Sequence, residues 1–203
     1  LNTWAKHPDL DLIRPVREGV PGMPDWVPAS YHDMQWFGVK SGVEKLSEIE
    51  TLGYPAEAKA SYDIFCKMRE EGIIPHGVRF QQSLPFPDNA VRLFTNNAVN
   101  MDLMIDAYID VMKRDLALLC DLIPHEDLIL QWDVNWETVA IEYGDYMPES
   151  PPMQFSPHGT PLSRFERYVR ELNSAIAEDV PVGLHLCYGD LNHKHFKDPG
   201  DLA

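Results

Sequence analysis

The chain has no apolar run near the roughly 20 residues that a membrane-crossing helix needs. Its start, LNTWAKHPDLDL, has neither the basic residues nor the apolar core of a secretory signal. No membrane partner is therefore expected. Basic residues are scarce, 17 Lys and Arg against 32 Asp and Glu, for a net charge of -15. Phosphate backbones are held by clustered Lys and Arg, so nucleic acid is excluded as the expected partner. The one dense basic spot, HKHFK at 193–197, is too short for such a footprint. The excess acid favours solubility. Cysteine is scarce too. Cys66, Cys120 and Cys187 are odd in number and far apart, which argues against a disulfide framework and for a reducing cytoplasm. There is no internal repeat and no low-complexity tract. An initiator Met is also missing, which suggests a processed chain or a fragment.

What is present suits one sizeable core: 203 residues, 44% of them hydrophobic, read as a single domain over 1–203. Residues 1–40 are rich in Pro, Trp and Gly with little periodicity and read as an irregular N-terminal arm. A short helix is expected over 42–52. PAEAKASYDIFCKMREEG reads as a helix with Pro55 in its first turn, Gly72 at its exit and Ala58, Tyr62, Phe65 and Met68 on its apolar face. Residues 78–84 form a strand candidate ended by Pro85. A long helix follows over about 97–123, whose apolar residues recur every three or four positions from Met101 to Ile123. Residues 128–133 give a second strand. A loop of about 28 residues comes next, a length that is usually functional or disordered. SRFERYVRELNSAIAED opens with a Ser163–Glu166 capping box, and VGLHLCYGD, from Val182, supplies a third strand.

Helices alternating with strands imply parallel strands joined by right-handed crossovers. Two architectures compete, a (β/α) barrel and an open doubly wound sheet. A phosphate-cradling glycine loop is absent after every strand, which weakens the dinucleotide-binding form of the open sheet. In either architecture, chemistry collects at the carboxyl ends of the strands, here SLPFP, QWDVNWE and HLCYGD.

Residues i and i+2 of a strand share a face, so His185 and Cys187 should project together. Imidazole and thiolate are preferred zinc ligands, and this pair supplies two of the four that a tetrahedral site needs. The competing reading makes Cys187 a small buried hydrophobe. Gln131 and Asp133 also share a face. An unpaired carboxylate at the end of an apolar strand is costly, so Asp133 either meets a substrate or serves as a helix cap or ion-pair partner. Trp132 and Trp136 wall a pocket or pack in the core. Glu137, Glu142 and Asp145 read as a solvated loop, His193 and His195 as active-face or surface residues, and Cys66 and Cys120 as core.

FQQSLPFP, LQWD and VGLHLCYGD together are similar to the (β/α)8-barrel superfamily that joins cobalamin-independent methionine synthase with uroporphyrinogen decarboxylase, over roughly residues 75–203. The resemblance implies a (β/α)8 TIM barrel, only part of which this chain holds. In the synthase branch a strand carrying H-x-C-Y provides two zinc ligands. His185 and Cys187 would thus be metal ligands, with Tyr188 continuing the motif. That branch places a Q-x-D strand at the substrate amino acid, matched by Gln131 and Asp133. Val134 and Asn135 stand where the family has Glu-Pro, and Gly189 and Asp190 also depart from the synthase pattern. The family's other two ligands come from later strands. The expected activity is zinc-dependent alkyl or methyl transfer from an alkyl donor to a small-molecule thiol. The candidate substrate contacts are Gln131, Trp132, Asp133, Tyr188 and Asp190. A metal-free decarboxylase-like enzyme and a non-catalytic small-molecule-binding relative are the alternatives.

Overall fold

The structure, a computed structural model, describes residues 2–14, 36–95, 97–143, 159–189 and 195. Its elements run α1 (Asn2–Ala5), β1 (Leu10–Arg14), β2 (Trp36–Val39), α2 (Tyr54–Glu70), β3 (Phe80–Pro85), α3 (Pro87–Val91), a 3-10 turn (Arg92–Phe94), α4 (Ala98–Leu122), β4 (Leu128–Val134), α5 (Trp136–Tyr143), α6 (Pro161–Asn173) and β5 (Val182–Leu186).

The molecule is mixed α/β. Strands β3, β4 and β5 form a parallel sheet in sequential order, and β1 and β2 form a separate antiparallel pair. Three parallel strands do not close a barrel. The registers place Leu84 beside Trp132 and Pro85 beside Asp133, then Trp132 beside Leu184 and Asp133 beside His185. Strand β4 alternates strictly: Leu128, Leu130, Trp132 and Val134 are buried, while Ile129, Gln131 and Asp133 are half-buried. Its buried side shares one core with Met104, Tyr108, Met112 and Leu116 of α4 and with Tyr168 and Leu172 of α6. The helices therefore pack on one face of the sheet, and the polar residues lie on the other.

Helix α4 follows its sequence pattern. Eleven of its 25 residues are buried along one stripe, and Asn97 caps it by accepting from the Asn100 amide. Cys120 is buried in this stripe, and Cys66 is half-buried on α2 against the core. Helix α6 is capped differently from the expectation. Thr160, not Ser163, is the N-cap: its Oγ1 accepts from the Ser163 amide at 3.2 Å, and Pro161 opens the first turn.

Three local expectations give way to tertiary contacts. The N-terminal arm is not wholly irregular: Leu10 and Phe37 are buried in the β1–β2 pair, beside Trp4 of α1. Residues 42–52 form no helix. His7 Nε2 meets the Ser47 carbonyl, Asp9 accepts from the Ser47 amide, and Asp115 accepts from Thr51 Oγ1 and the Leu52 amide. These distant partners hold the segment extended while Leu46 and Ile49 enter the core. Helix α5 occupies the first part of the expected 28-residue loop, whose residues 144–158 lie outside the described residues.

The amino-terminal end of β4 is pinned by an ion pair. Arg69 donates to both oxygens of Asp127, at 2.7 and 2.6 Å, and Tyr62 Oη donates at 2.6 Å. The Arg69 hydrogen bonds, opposed by burial and reinforced by Tyr62, hold the Asp127 carboxyl at about 2, below its ordinary 3.8. A lowered carboxyl stabilises the fold above its unfolded value and loses that contribution as pH falls through its folded value. Asp127→Asn is expected to cost about 1–2 kcal/mol at neutral pH and to flatten the acid limb of stability between about pH 4 and 2. Urea titrations across that range would refute the assignment if both proteins lost stability in parallel.

Strand β5 is the sheet's edge. Val182, Leu184 and Leu186, in register with the buried Leu130, Trp132 and Val134, are 38, 49 and 57% exposed. Among the described residues, the helix side of β5 is uncovered.

Candidate functional site

The polar face is built by strand alternation. Ser83 pairs with Gln131 in register, Pro85 with Asp133, Gly183 with Gln131 and His185 with Asp133. Residues in register on parallel strands point to the same side. Gln81, Ser83, Gln131, Asp133 and His185 thus form one surface across three strands. Hydrogen bonds tie it together. Gln81 Nε2 donates to Gln131 Oε1 at 3.1 Å, and Gln131 Nε2 is shared between Ser83 Oγ and Asp133 Oδ1, each at 3.2 Å.

His185 Nδ1 lies 3.0 Å from Asp133 Oδ1. A carboxylate accepts, so Nδ1 carries the hydrogen of this contact. Both side chains remain well exposed, 55% for His185 and 40% for Asp133. Asp133 is therefore a hydrogen-bond partner of His185 at an open surface.

Cys187 lies just past β5 but continues its ladder, its amide donating to the Val134 carbonyl at 2.8 Å. Its sulfur accepts from Asn135 Nδ2 at 3.7 Å and from the Gly189 amide at 3.4 Å. Gly189 has φ 79°, a left-handed turn that a side chain would strain and that brings the amide back to the sulfur. Asp133 and Asn135 are two apart, as are His185 and Cys187, and each member of one pair contacts its counterpart. His185 thus meets Asp133 on the strands, and Cys187 meets Asn135 just beyond them.

The carboxyl end of β4 is clamped from β3's side. Asn89, on α3, donates through Nδ2 to the Asp133 carbonyl, and its Oδ1 accepts from the Trp136 amide at 2.9 Å. This contact supplies the first turn of α5 with a partner that no local residue provides.

Several expected site residues lie elsewhere. Trp132 does not wall the polar face. Strand alternation turns it the other way, fully buried, with its ring edge-on to Phe86 at 5.5 Å and Nε1 donating to Asn173 Oδ1 at 3.0 Å. Trp136 is buried as well, with the Arg92 guanidinium 5.6 Å above its ring. Glu137 is not in a solvated loop; it is buried at 2% exposure, and its Oε1 accepts from the Asp88 amide at 2.7 Å. Tyr188 is half-buried, with its ring 6.4 Å from that of His195. Asp190, His193 and Asp145 lie outside the described residues.

The donor chemistry fits half of a zinc site. His185 offers Nε2, with Asp133 orienting its ring, and Cys187 offers Sγ. Among the described residues, no three His, Cys, Asp or Glu side chains converge as a metal-binding group. Likewise, no helix among them is long and apolar enough to cross a membrane. Searches of family models, curated proteins and solved structures find no match to this chain.

Proposed function

We propose that this chain forms part of a (β/α)8 barrel that transfers an alkyl group, methyl in the simplest case, to a small-molecule thiol with the help of zinc held by His185 and Cys187. One observation carries the reading: Asp133 and His185 meet at 3.0 Å on the same open face as Gln131, with Cys187 held by Asn135 just past the strand ends. The sequential parallel sheet with helices on one face suits a segment of such a barrel. Three free cysteines suit a reducing cytoplasm.

In this proposal Gln131 and Asp133 bind the polar end of the thiol substrate, and Tyr188 and Asp190 are further substrate contacts. Asp133 also fixes the imidazole tautomer, so that Nε2 faces outward. Zinc, when bound, keeps a substrate thiol as its thiolate near neutral pH. The substrate sulfur forms a bond to the alkyl carbon, the donor's leaving atom takes the electron pair of the broken bond, and the thiol proton passes to solvent. The protein contributes alignment of sulfur and carbon.

Metal analysis of the purified protein tests this. Zinc near one per chain is expected, lost in Cys187→Ser. Asp133→Asn should weaken zinc binding about 10- to 100-fold while leaving the secondary structure intact. Folded protein with no affinity for zinc would sink the proposal in favour of a metal-free decarboxylase-like enzyme or a non-catalytic binding relative. Turnover of porphyrinogen carboxylates then separates those two.

A further inference from the structure

A cleft of about 240 Å³ opens at the carboxyl end of β3, with Pro85 on its wall. It is lined by four aromatic rings, those of Trp4, Tyr54, Phe94 and Tyr108, drawn from α1, the start of α2, the 3-10 turn and α4. We infer that this cleft binds a neutral planar aromatic or heteroaromatic molecule of up to two fused rings, oriented by a hydrogen bond from Tyr54. The inference does not depend on zinc or on thiol chemistry.

The rings are fixed before any ligand arrives. Trp4 Nε1 donates to the Ala90 carbonyl at 3.0 Å, and Tyr108 Oη to the Pro85 carbonyl at 2.6 Å. Both donors are thereby used, and the two rings present their faces and edges as apolar walls. Trp4, Phe94 and Tyr108 are at most 9% exposed. Walls held in place in this way cost little ordering on binding. A dry cavity of about 150 Å³ suffices for benzene, so this cleft has room for a bicyclic ring, and aromatic walls favour one through offset or edge-on contacts.

Tyr54 supplies the polar handle. Its hydroxyl makes no hydrogen bond to a described side chain or backbone group, although both other polar aromatic residues of the cleft are satisfied. Burial first, and then the nearby Asp115 carboxylate, push its phenol above its ordinary range. It therefore stays protonated and donates. The same carboxylate, held by Thr51 Oγ1 and by the amide of the cleft residue Leu52, repels an anionic guest. A flat neutral ring with one acceptor atom at its edge satisfies both conditions.

The cleft also adjoins the polar face. Asn89 lines it and donates to the Asp133 carbonyl, while Pro85 is Asp133's register partner. A ring in the cleft would lie one strand away from the Asp133–His185 pair, on the side of β3.

Ligand-observed NMR with quinoline at neutral pH tests the inference, with 2-naphthoate as the anionic comparison of the same ring size. Quinoline should saturate one site with a Kd of about 0.1–1 mM, and 2-naphthoate should bind at least about tenfold more weakly. Tyr54→Phe should weaken quinoline about three- to tenfold through loss of the single hydrogen bond. Ala90→Leu and, independently, Leu52→Phe place added atoms on the cleft wall and should abolish binding without lowering the thermal midpoint. No quinoline binding at millimolar concentration overturns the inference. So does binding that survives both filling substitutions in folded protein, or an equal preference for naphthoate.

Discussion

Replacing Asp88 with alanine is expected to destabilise the protein by about 3–5 kcal/mol, the cost of breaking a buried charge pair by removing one partner. Asp88 is 1% exposed and serves three neighbours. Its Oδ2 accepts from Arg92 Nη2 at 2.7 Å, its Oδ1 accepts from Tyr168 Oη at 3.0 Å, and its amide donates to Glu137 Oε1 at 2.7 Å. Arg92 is itself 2% exposed, and burial already lowers its pKa against the pull of Asp88 and Glu137. Alanine would take the carboxylate from Arg92 and the acceptor from Tyr168 while both remain in the core. Asp88→Asn keeps the volume and one acceptor, and should cost less, about 2 kcal/mol. Chemical denaturation resolves this order. Equal stability of the alanine variant and the native protein would show that the cluster reorganises freely.

Glu137 belongs to the same cluster but is expected to behave in the opposite way. Burial first, and the Asp88 charge second, raise its carboxyl well above its ordinary 4.5. Its unfolded form ionises near the ordinary value. Between the two values the folded state holds the extra proton, and stability falls as pH rises. Glu137→Gln removes this dependence. The variant should match the native protein near pH 4 and exceed it at neutral pH, the gap widening by up to about 1.4 kcal/mol per pH unit.

Much of this cluster was illegible in the sequence, and the reason is physical. Glu137 follows an apolar strand in a stretch rich in acid, where local composition favours a solvated loop. What buries it is α3, almost fifty residues earlier, whose Asp88 amide and Asn89 side chain take up the start of α5. The extended 42–52 segment failed to show for the same reason: its hydrogen-bond partners are on β1's approach and on α4. Helix α4, by contrast, was read to within a residue at each end, because 25 residues of unbroken period outweigh any single contact. The pair at 185 and 187 lies between these cases. Strand alternation announces that both face one way, but the register that sets His185 against Asp133 and Cys187 against Asn135 depends on how β5 slides along β4. No local pattern carries that.

Trp132 separates packing from function at the centre of the sheet. Trp132→Ala should cost about 3–5 kcal/mol, the range for truncating a buried aromatic. The side chain has no exposed surface, and it meets Phe86 edge-on and Asn173 by a hydrogen bond. Trp132→Phe retains most of the packing and leaves Asn173 Oδ1 without its donor, so about 1–2 kcal/mol is expected. Its sequence neighbours Gln131 and Asp133 project from the opposite face, where Gln131 bridges Ser83 and Asp133, and Asp133 holds His185. If zinc binds at His185 and Cys187 as proposed, the phenylalanine variant should therefore keep the native zinc affinity, although it unfolds at lower denaturant. If zinc affinity fell together with stability in Trp132→Phe, while Asp133→Asn left it unchanged, the two faces of β4 would have exchanged the roles that their alternation assigns to them.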